Sequence, residues 1–262
     1  MALIIAVANQ KGGVGKTTTA INLGAEIAAQ GIACLVVDLD PQANATAALG
    51  VLPEGGPTIY EVLIDGVPLV EAVLPTPQEG LHLVPASPDL AGAEVELVPA
   101  MAREYRLKRA LDGSVSPYEF VIIDCPPSLG LLTVNALSAA NEAVVPVQCE
   151  YLALEGLGQL TRTLEAVRRN LNPTLHLAGL LLTMYDSRTN LCQQVAREVR
   201  SHFASTFETV VPRSVRVSEA PSHGLPMALY APSSPAAKAY RAFALEIIRA
   251  FAPQRLGKEV KP

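Results

Sequence analysis

The chain has 262 residues, 50% apolar and 17% charged, enough to bury one well-formed α/β core, and no shift in composition marks a second domain. A net charge of −5 excludes a uniformly basic nucleic-acid binder, and no apolar run reaches the roughly 18 residues of a membrane span. The charge is uneven: residues 1–100 carry two basic against eleven acidic groups, and residues 101–262 carry 18 against 14. A local basic face is therefore expected only in the C-terminal part. Met1 runs at once into an apolar segment, so no secretory leader is expected. Cysteines 34, 125, 149 and 192 show no paired short spacing; buried free thiols in a reducing cytosol are expected.

The first element is an apolar strand, Leu3–Ala8, followed after a loop by a helical run, Thr19–Gln30. Between them stands Lys11-Gly12-Gly13-Val14-Gly15-Lys16-Thr17-Thr18. Strand, glycine-rich loop and helix in that order make a phosphate cradle. Glycines let backbone N–H groups approach phosphate oxygens with no Cβ in the way, and the helix N-terminus adds partial positive charge. Lys16 is placed to reach the β- and γ-phosphates and Thr17 to ligate Mg²⁺, so ATP and Mg²⁺ are the expected ligands. The usual loop begins with Gly five residues before its Gly-Lys pair. Here that position is Gln10, with a second lysine, Lys11, after it. A lysine in that bend does not readily fold back onto its own nucleotide.

Gly31 closes the helix, and Ile32–Asp38 reads as a buried strand ending in Asp38-Leu39-Asp40. Acidic residues at the C-terminal end of a parallel strand face the ligand crevice, and period two puts Asp38 and Asp40 on one side. One carboxylate can serve the Mg²⁺ shell and the other can orient a water. Residues 50–117 are the least legible, with a short helix expected over Thr58–Ile64, a strand over Leu81–Val84 and a helix over Met101–Leu111 exposing Arg103, Arg106, Lys108 and Arg109. Tyr118–Asp124 is a second buried strand ending in Asp, suited to the metal side of the same site. Further on are a strand over Glu142–Gln148, a helix over Ala153–Asn170, a strand over Leu175–Thr183 and a helix over Thr189–Phe203. A short strand, Glu208–Val211, precedes the last helix at 233–251, whose apolar stripe is ordinary core packing. The four histidines lie far apart in sequence and suggest no metal site. The alternation predicts a single-domain P-loop NTPase over 1–252: a mostly parallel twisted sheet with helices on both faces, and a short polar tail at 253–262.

The Lys11–Thr18 loop resembles the deviant Walker A motif of the ParA/MinD family. Similar stretches extend over nearly the whole chain: Val37–Gln42, Ile123–Gly130, Pro146–Tyr151, Asp186–Asn190 and Arg216–Ser222. The resemblance is strongest to the short ParA proteins of chromosome segregation, often called Soj. It implies an ATPase that is slow until stimulated, with Lys11 acting across an ATP-bound homodimer and Asp40 activating water. Thr17, Asp40 and Asp124 would serve the metal, and Met184 and Pro212 would flank the adenine. Arg188 and Arg216 match the family's contacts to nonspecific double-stranded DNA, and a ParB-type protein would be the stimulating partner, on the nucleoid in the cytoplasm. A membrane-surface ATPase of the MinD branch is disfavoured because the tail after Pro253 is too short and polar to bury an apolar face in lipid. A biosynthetic ligase on the same loop is the other alternative.

Overall fold

The computed structural model describes residues 2–150 and 153–255. Tyr151 and residues 256–262, the larger part of the expected polar tail, lie outside the described residues. The strands are β1 (Leu3–Val7), β2 (Cys34–Asp38), β3 (Leu74–Pro75), β4 (Leu81–Val84), β5 (Phe120–Asp124), β6 (Glu142–Gln148), β7 (His176–Tyr185) and β8 (Thr206–Pro212). The helices are α1 (Lys16–Ala28), α2 (Asn44–Ala48), α3 (Ile59–Ile64), α4 (Leu90–Glu96), α5 (Arg106–Leu111), α6 (Leu131–Ala139), α7 (Ala153–Asn170), α8 (Asn190–His202), α9 (Val215–Glu219), α10 (Met227–Tyr230) and α11 (Pro235–Phe251).

One sheet holds all the strands in the order β3-β4-β2-β5-β1-β6-β7-β8. Every pair is parallel except β3 on β4, which is antiparallel at the edge. The sheet buries both faces, which is why Cys34-Leu35-Val36-Val37 and Phe120-Val121-Ile122-Ile123 read as unbroken apolar runs. Alternate side chains divide the core. Leu35, Val37, Val121 and Ile123 pack against α3, α4, α5 and α6. Val36, Phe120 and Ile122 pack against α1, α2 and α11. A third cluster joins β6 and β7 to α7 and α8. The doubly wound architecture expected from the alternation is present, and the four cysteines are free and buried.

The differences in detail have local causes. The first helix begins at Lys16 rather than Thr19, because Gly15 takes a left-handed conformation (φ 89°) and starts the helix inside the loop. The expected helix 101–111 splits into a 3₁₀ turn, Arg103–Tyr105, and α5, after Ala102 enters the left-handed region at φ 50°. In that stretch Lys108 and Arg109 are exposed, whereas Arg103 and Arg106 are half-buried. Helices α4, α6, α9 and α10 had no expectation, and α6 spreads its apolar residues around the helix with Thr133, Asn135 and Ser138 among them, so no stripe announces it.

Helices α1 and α11 pack side by side on one face of the sheet. Phe243 is fully buried and meets the Phe207 ring edge-on, centroids 4.8 Å apart. Phe243→Ala is expected to cost about 3–5 kcal/mol of stability, read as a lower midpoint in urea denaturation with unchanged slope.

Candidate nucleotide and metal site

Strands β2, β5 and β1 lie side by side and end at one edge, where Asp38 and Val7 are both in register with Asp124. The edge lies where the chain crosses from one half of the sheet to the other, the usual position for a ligand crevice. The loop from Ala8 to Gly15 leaves β1 there and turns into α1.

The loop is held by contacts that sequence spacing does not reveal. Asn9 Nδ2 donates to the Pro146 carbonyl at 2.7 Å, and Asn9 Oδ1 accepts from the Lys11 N–H at 3.0 Å. Thr183 Oγ1 donates to the Val14 carbonyl at 2.8 Å, from 169 residues away. Gly13 (φ 74°) and Gly15 (φ 89°) hold positive φ, and an added Cβ at Gly13 would meet no protein atom. That open concavity, on the N-terminus of a 13-residue helix, fits a phosphate chain.

Lys16 is buried at 6% exposure, and its Nζ donates to the Lys11 carbonyl at 3.0 Å. Burial lowers its pKa, while Asp124, Cys125 and Asp40 pull it back up. Asp124 is completely buried, and neither carboxylate oxygen has a hydrogen-bond partner among the described residues. Its pKa is raised well above the carboxylate range, first by burial and then by Asp38; the Thr17 hydroxyl and Lys16 oppose the rise. A divalent cation supplies what this carboxylate lacks, so Asp124 and Thr17 fit Mg²⁺.

Asp38 has a different surrounding. Burial pushes it up to about 6, yet its Oδ2 accepts from the Thr46 N–H at 2.8 Å and the Thr46 hydroxyl at 2.7 Å, and its Oδ1 from the Asp40 N–H at 3.2 Å. Asp38 thus fastens α2 to the strand end. Asp40, at 6% exposure, accepts from the Gln42 N–H at 3.0 Å. It retains acceptor capacity for a water or metal.

Lys11 lies apart from these groups. Its Nζ pairs with Glu150 Oε2 at 3.3 Å, with side-chain exposures of 38% and 47%. Glu150, which also accepts from Gln148 Nε2, is a neighbour that sequence reasoning missed. Met184 and Pro212 do come together: with Gly15, Thr18, Ser214 and Val217 they line a cavity of about 140 Å³ at the ends of β7 and β8. Met184 holds the left-handed φ of 51°.

Arg188 and Arg216 leave the same corner of the sheet, since Tyr185 of β7 is in register with Pro212 of β8. Arg188 is 87% exposed and grips Asp186 with Nε at 2.9 Å and Nη2 at 2.7 Å, holding that carboxyl at about 2. Arg216 is 63% exposed and pairs with Glu219 at 3.2 Å. Nearby, Arg200 is taken up by the carbonyls of Phe207 and Glu208.

The electrostatics of Asp124 give a signed expectation. A carboxyl whose folded pKa exceeds its unfolded value takes up a proton on folding, so stability is lost as pH rises from about 4 through the folded pKa. Without Mg²⁺ or nucleotide, Asp124→Asn is expected to be about 1–3 kcal/mol more stable than the parent at pH 8. The gap should narrow toward pH 5, while Mg²⁺-dependent hydrolysis is lost. Urea denaturation in EDTA across that range checks it; a less stable variant at pH 8 contradicts it.

The chain matches the AAA domain family over residues 2–177. It is 52% identical over 249 residues to the sporulation initiation inhibitor protein Soj of Bacillus subtilis, covering 94% of this chain and 98% of that one. It is 55% identical over 245 residues to the chromosome-partitioning ATPase Soj of Thermus thermophilus, covering 93% and 94%. A solved structure described as cobyrinic acid a,c-diamide synthase from Mycobacterium smegmatis, with bound ADP and magnesium, superposes with TM-score 0.83 at 42% identity over 100% of each chain. Likeness at this level over nearly the full length, on a doubly wound sheet with a Lys11–Thr18 phosphate loop, places the chain in the ParA/Soj family of chromosome-partitioning ATPases.

Proposed function

We propose that the chain is an ATP-driven dimerisation switch that holds nonspecific DNA while ATP is bound and releases it after hydrolysis. The observation that carries the reading is the convergence of Lys16, Asp40 and Asp124 on one sheet edge beside Thr17, with the Asp124 oxygens buried and unpartnered. Lys16 and the loop N–H groups bind the β- and γ-phosphates, and Thr17 and Asp124 hold Mg²⁺, with Asp40 at its edge. The metal neutralises charge on the transferred phosphoryl group. Asp40 orients the attacking water and accepts its proton. Met184 and Pro212 pack against the adenine.

The remaining steps follow from where the cations stand. Lys11 exchanges its weak surface pairing with Glu150 for the triphosphate of a second copy. Dimerisation brings Arg188 and Arg216 of both copies onto one surface, where phosphate replaces Asp186 and Glu219 as their partner. Such contacts position the protein on the backbone without reading sequence. No arginine is among the charges that act on Lys16 and Asp124, which suits slow hydrolysis that a ParB-type partner accelerates. The cytoplasm, on the nucleoid, is the compartment this activity needs.

A second reading comes from the likeness to the structure described as cobyrinic acid a,c-diamide synthase. A ligase would use the same phosphate loop to activate an acid and would be indifferent to DNA. The two relatives named Soj, one of them a chromosome-partitioning ATPase, are the more similar in sequence, at 52% and 55%.

Retention on a nonspecific duplex decides between them. With Mg-ATP at about 50 mM salt the protein is expected to be retained, and at about 200 mM released, because several phosphate contacts exchange for counterions. Lys16→Ala should bind no nucleotide and show no retention. Arg188→Glu with Arg216→Glu should bind nucleotide and lose DNA. Retention that is the same with ATP, with ADP and without nucleotide would refute the switch.

A further inference from the structure

The segment that carries Arg216 is a small unit of its own. Helix α9 runs directly into a 3₁₀ turn, Ala220–His223, and then to Gly224 and α10. Ala220 and Met227 form a miniature core with Ala236 and Ala237 of α11. Glu219 Oε2 pairs with Arg216 at 3.2 Å and accepts from the Tyr230 hydroxyl at 3.0 Å, and His223 stacks on Tyr230 with centroids 4.8 Å apart. These contacts tie Arg216 to the rest of its unit.

This unit rests on both helices that leave the nucleotide site. The first support is Asn22 of α1, buried at 2% exposure. Its Nδ2 donates to the Thr18 carbonyl at 2.8 Å, and its Oδ1 accepts from the Met227 N–H at 2.7 Å. One carboxamide therefore joins the phosphate loop to the Arg216 unit. The second support follows α2, which Asp38 holds through Thr46. Gly50, just past that helix, lies backbone to backbone on Gly224. A Cβ on Gly50 would meet the Gly224 oxygen at 3.0 Å, and a Cβ on Gly224 would meet the Gly50 Cα at 2.8 Å. Both residues hold φ 65°, where a side chain is strained in any case. With the two glycines in direct contact, neither segment can move toward the other without displacing it.

We infer that Asn22, Gly50 and Gly224 are positioning residues that transmit the state of the phosphate loop and of the Asp38–Asp40 strand end to Arg216. The inference rests on the DNA-binding reading of Arg216 given above. A displacement of Thr18 by nucleotide reaches Met227 through one side chain. A displacement of the segment after Asp40 reaches Gly224 through van der Waals contact. Neither route passes through the Lys11 contact between two copies, so each chain carries its own coupling.

The test is the ratio of DNA affinity with Mg-ATP to that with Mg-ADP, measured by fluorescence anisotropy on a nonspecific duplex. Nucleotide affinity, basal hydrolysis and melting temperature are measured alongside. Gly50→Ala is expected to keep nucleotide affinity and basal hydrolysis while the ratio falls about tenfold, within the range usual for coupling between sites. Gly224→Ala should act alike. Asn22→Ser, which adds no bulk, should lower the ratio even where a glycine variant does not fold. A folded variant that keeps the parent ratio overturns the inference, as does one whose ratio falls only in step with nucleotide affinity. A parent ratio of one would instead sink the DNA reading itself, leaving the two failures distinct.

Discussion

The structure is governed by carboxylates that the fold gathers at the ends of its central strands. Asp38 and Asp124 stand in register on neighbouring strands and are both fully buried, and Asp40 follows two residues on. A buried carboxylate without a partner is among the more costly arrangements a core can hold. Asp38 is relieved by Thr46 and the Asp40 N–H. Neither Asp124 oxygen has a hydrogen-bond partner among the described residues; the Thr17 hydroxyl and Lys16 offset its burial only in part, and Lys16 is itself penalised by burial. A proton or a divalent ion lowers the free energy of such a site. Ligand affinity is therefore the counterpart of what the fold loses in stability, and the two are expected to trade against each other.

The sheet order explains how the two proposed sites share one edge. β1 lies between β5 and β6, so chain segments leave its neighbourhood in both directions. The carboxylate strands lie to one side. β7 and β8, which lead to Arg188 and Arg216, lie to the other. The two halves meet at the phosphate loop, where Thr183 of β7 holds Val14, and along the buried supports from α1 and α2 to the Arg216 unit. These contacts physically join the loop to both sides of the switch point.

Much of this was legible in the sequence, for identifiable reasons. Parallel strands covered on both faces leave continuous apolar runs, so β4 and β6 agree to the residue with expectation, and β2 and β5 differ only at their starts. The Lys11–Thr18 loop stands out in the sequence because glycines, lysines and threonines are concentrated between an apolar strand and a helix. Residues 50–117 resisted because their elements are short and set by tertiary contacts. The apolar run of β4 is the exception there, and a Thr58–Glu61 capping box starts α3. Helix α6 was silent because its apolar residues are spread around the helix and leave no period. The supports of the site were hidden for another reason. Asn9, Asn22, Thr183 and Glu150 act on groups distant in sequence or on backbone atoms, and neither leaves a spacing to read.

What remains distinctive is the Lys11 side chain, which points away from the buried cluster that its carbonyl joins and reaches Glu150 at the surface. In the proposed switch this side chain meets the nucleotide of a second copy, making the triphosphate part of the subunit contact. Sedimentation velocity with Mg²⁺ and a non-hydrolysable ATP analogue tests this most directly. The parent, 27.6 kDa as a single chain, should sediment as a dimer, and Lys11→Ala should bind the analogue and sediment as one chain. A parent that stays single with the analogue bound, or a Lys11→Ala variant that dimerises equally well, would contradict it.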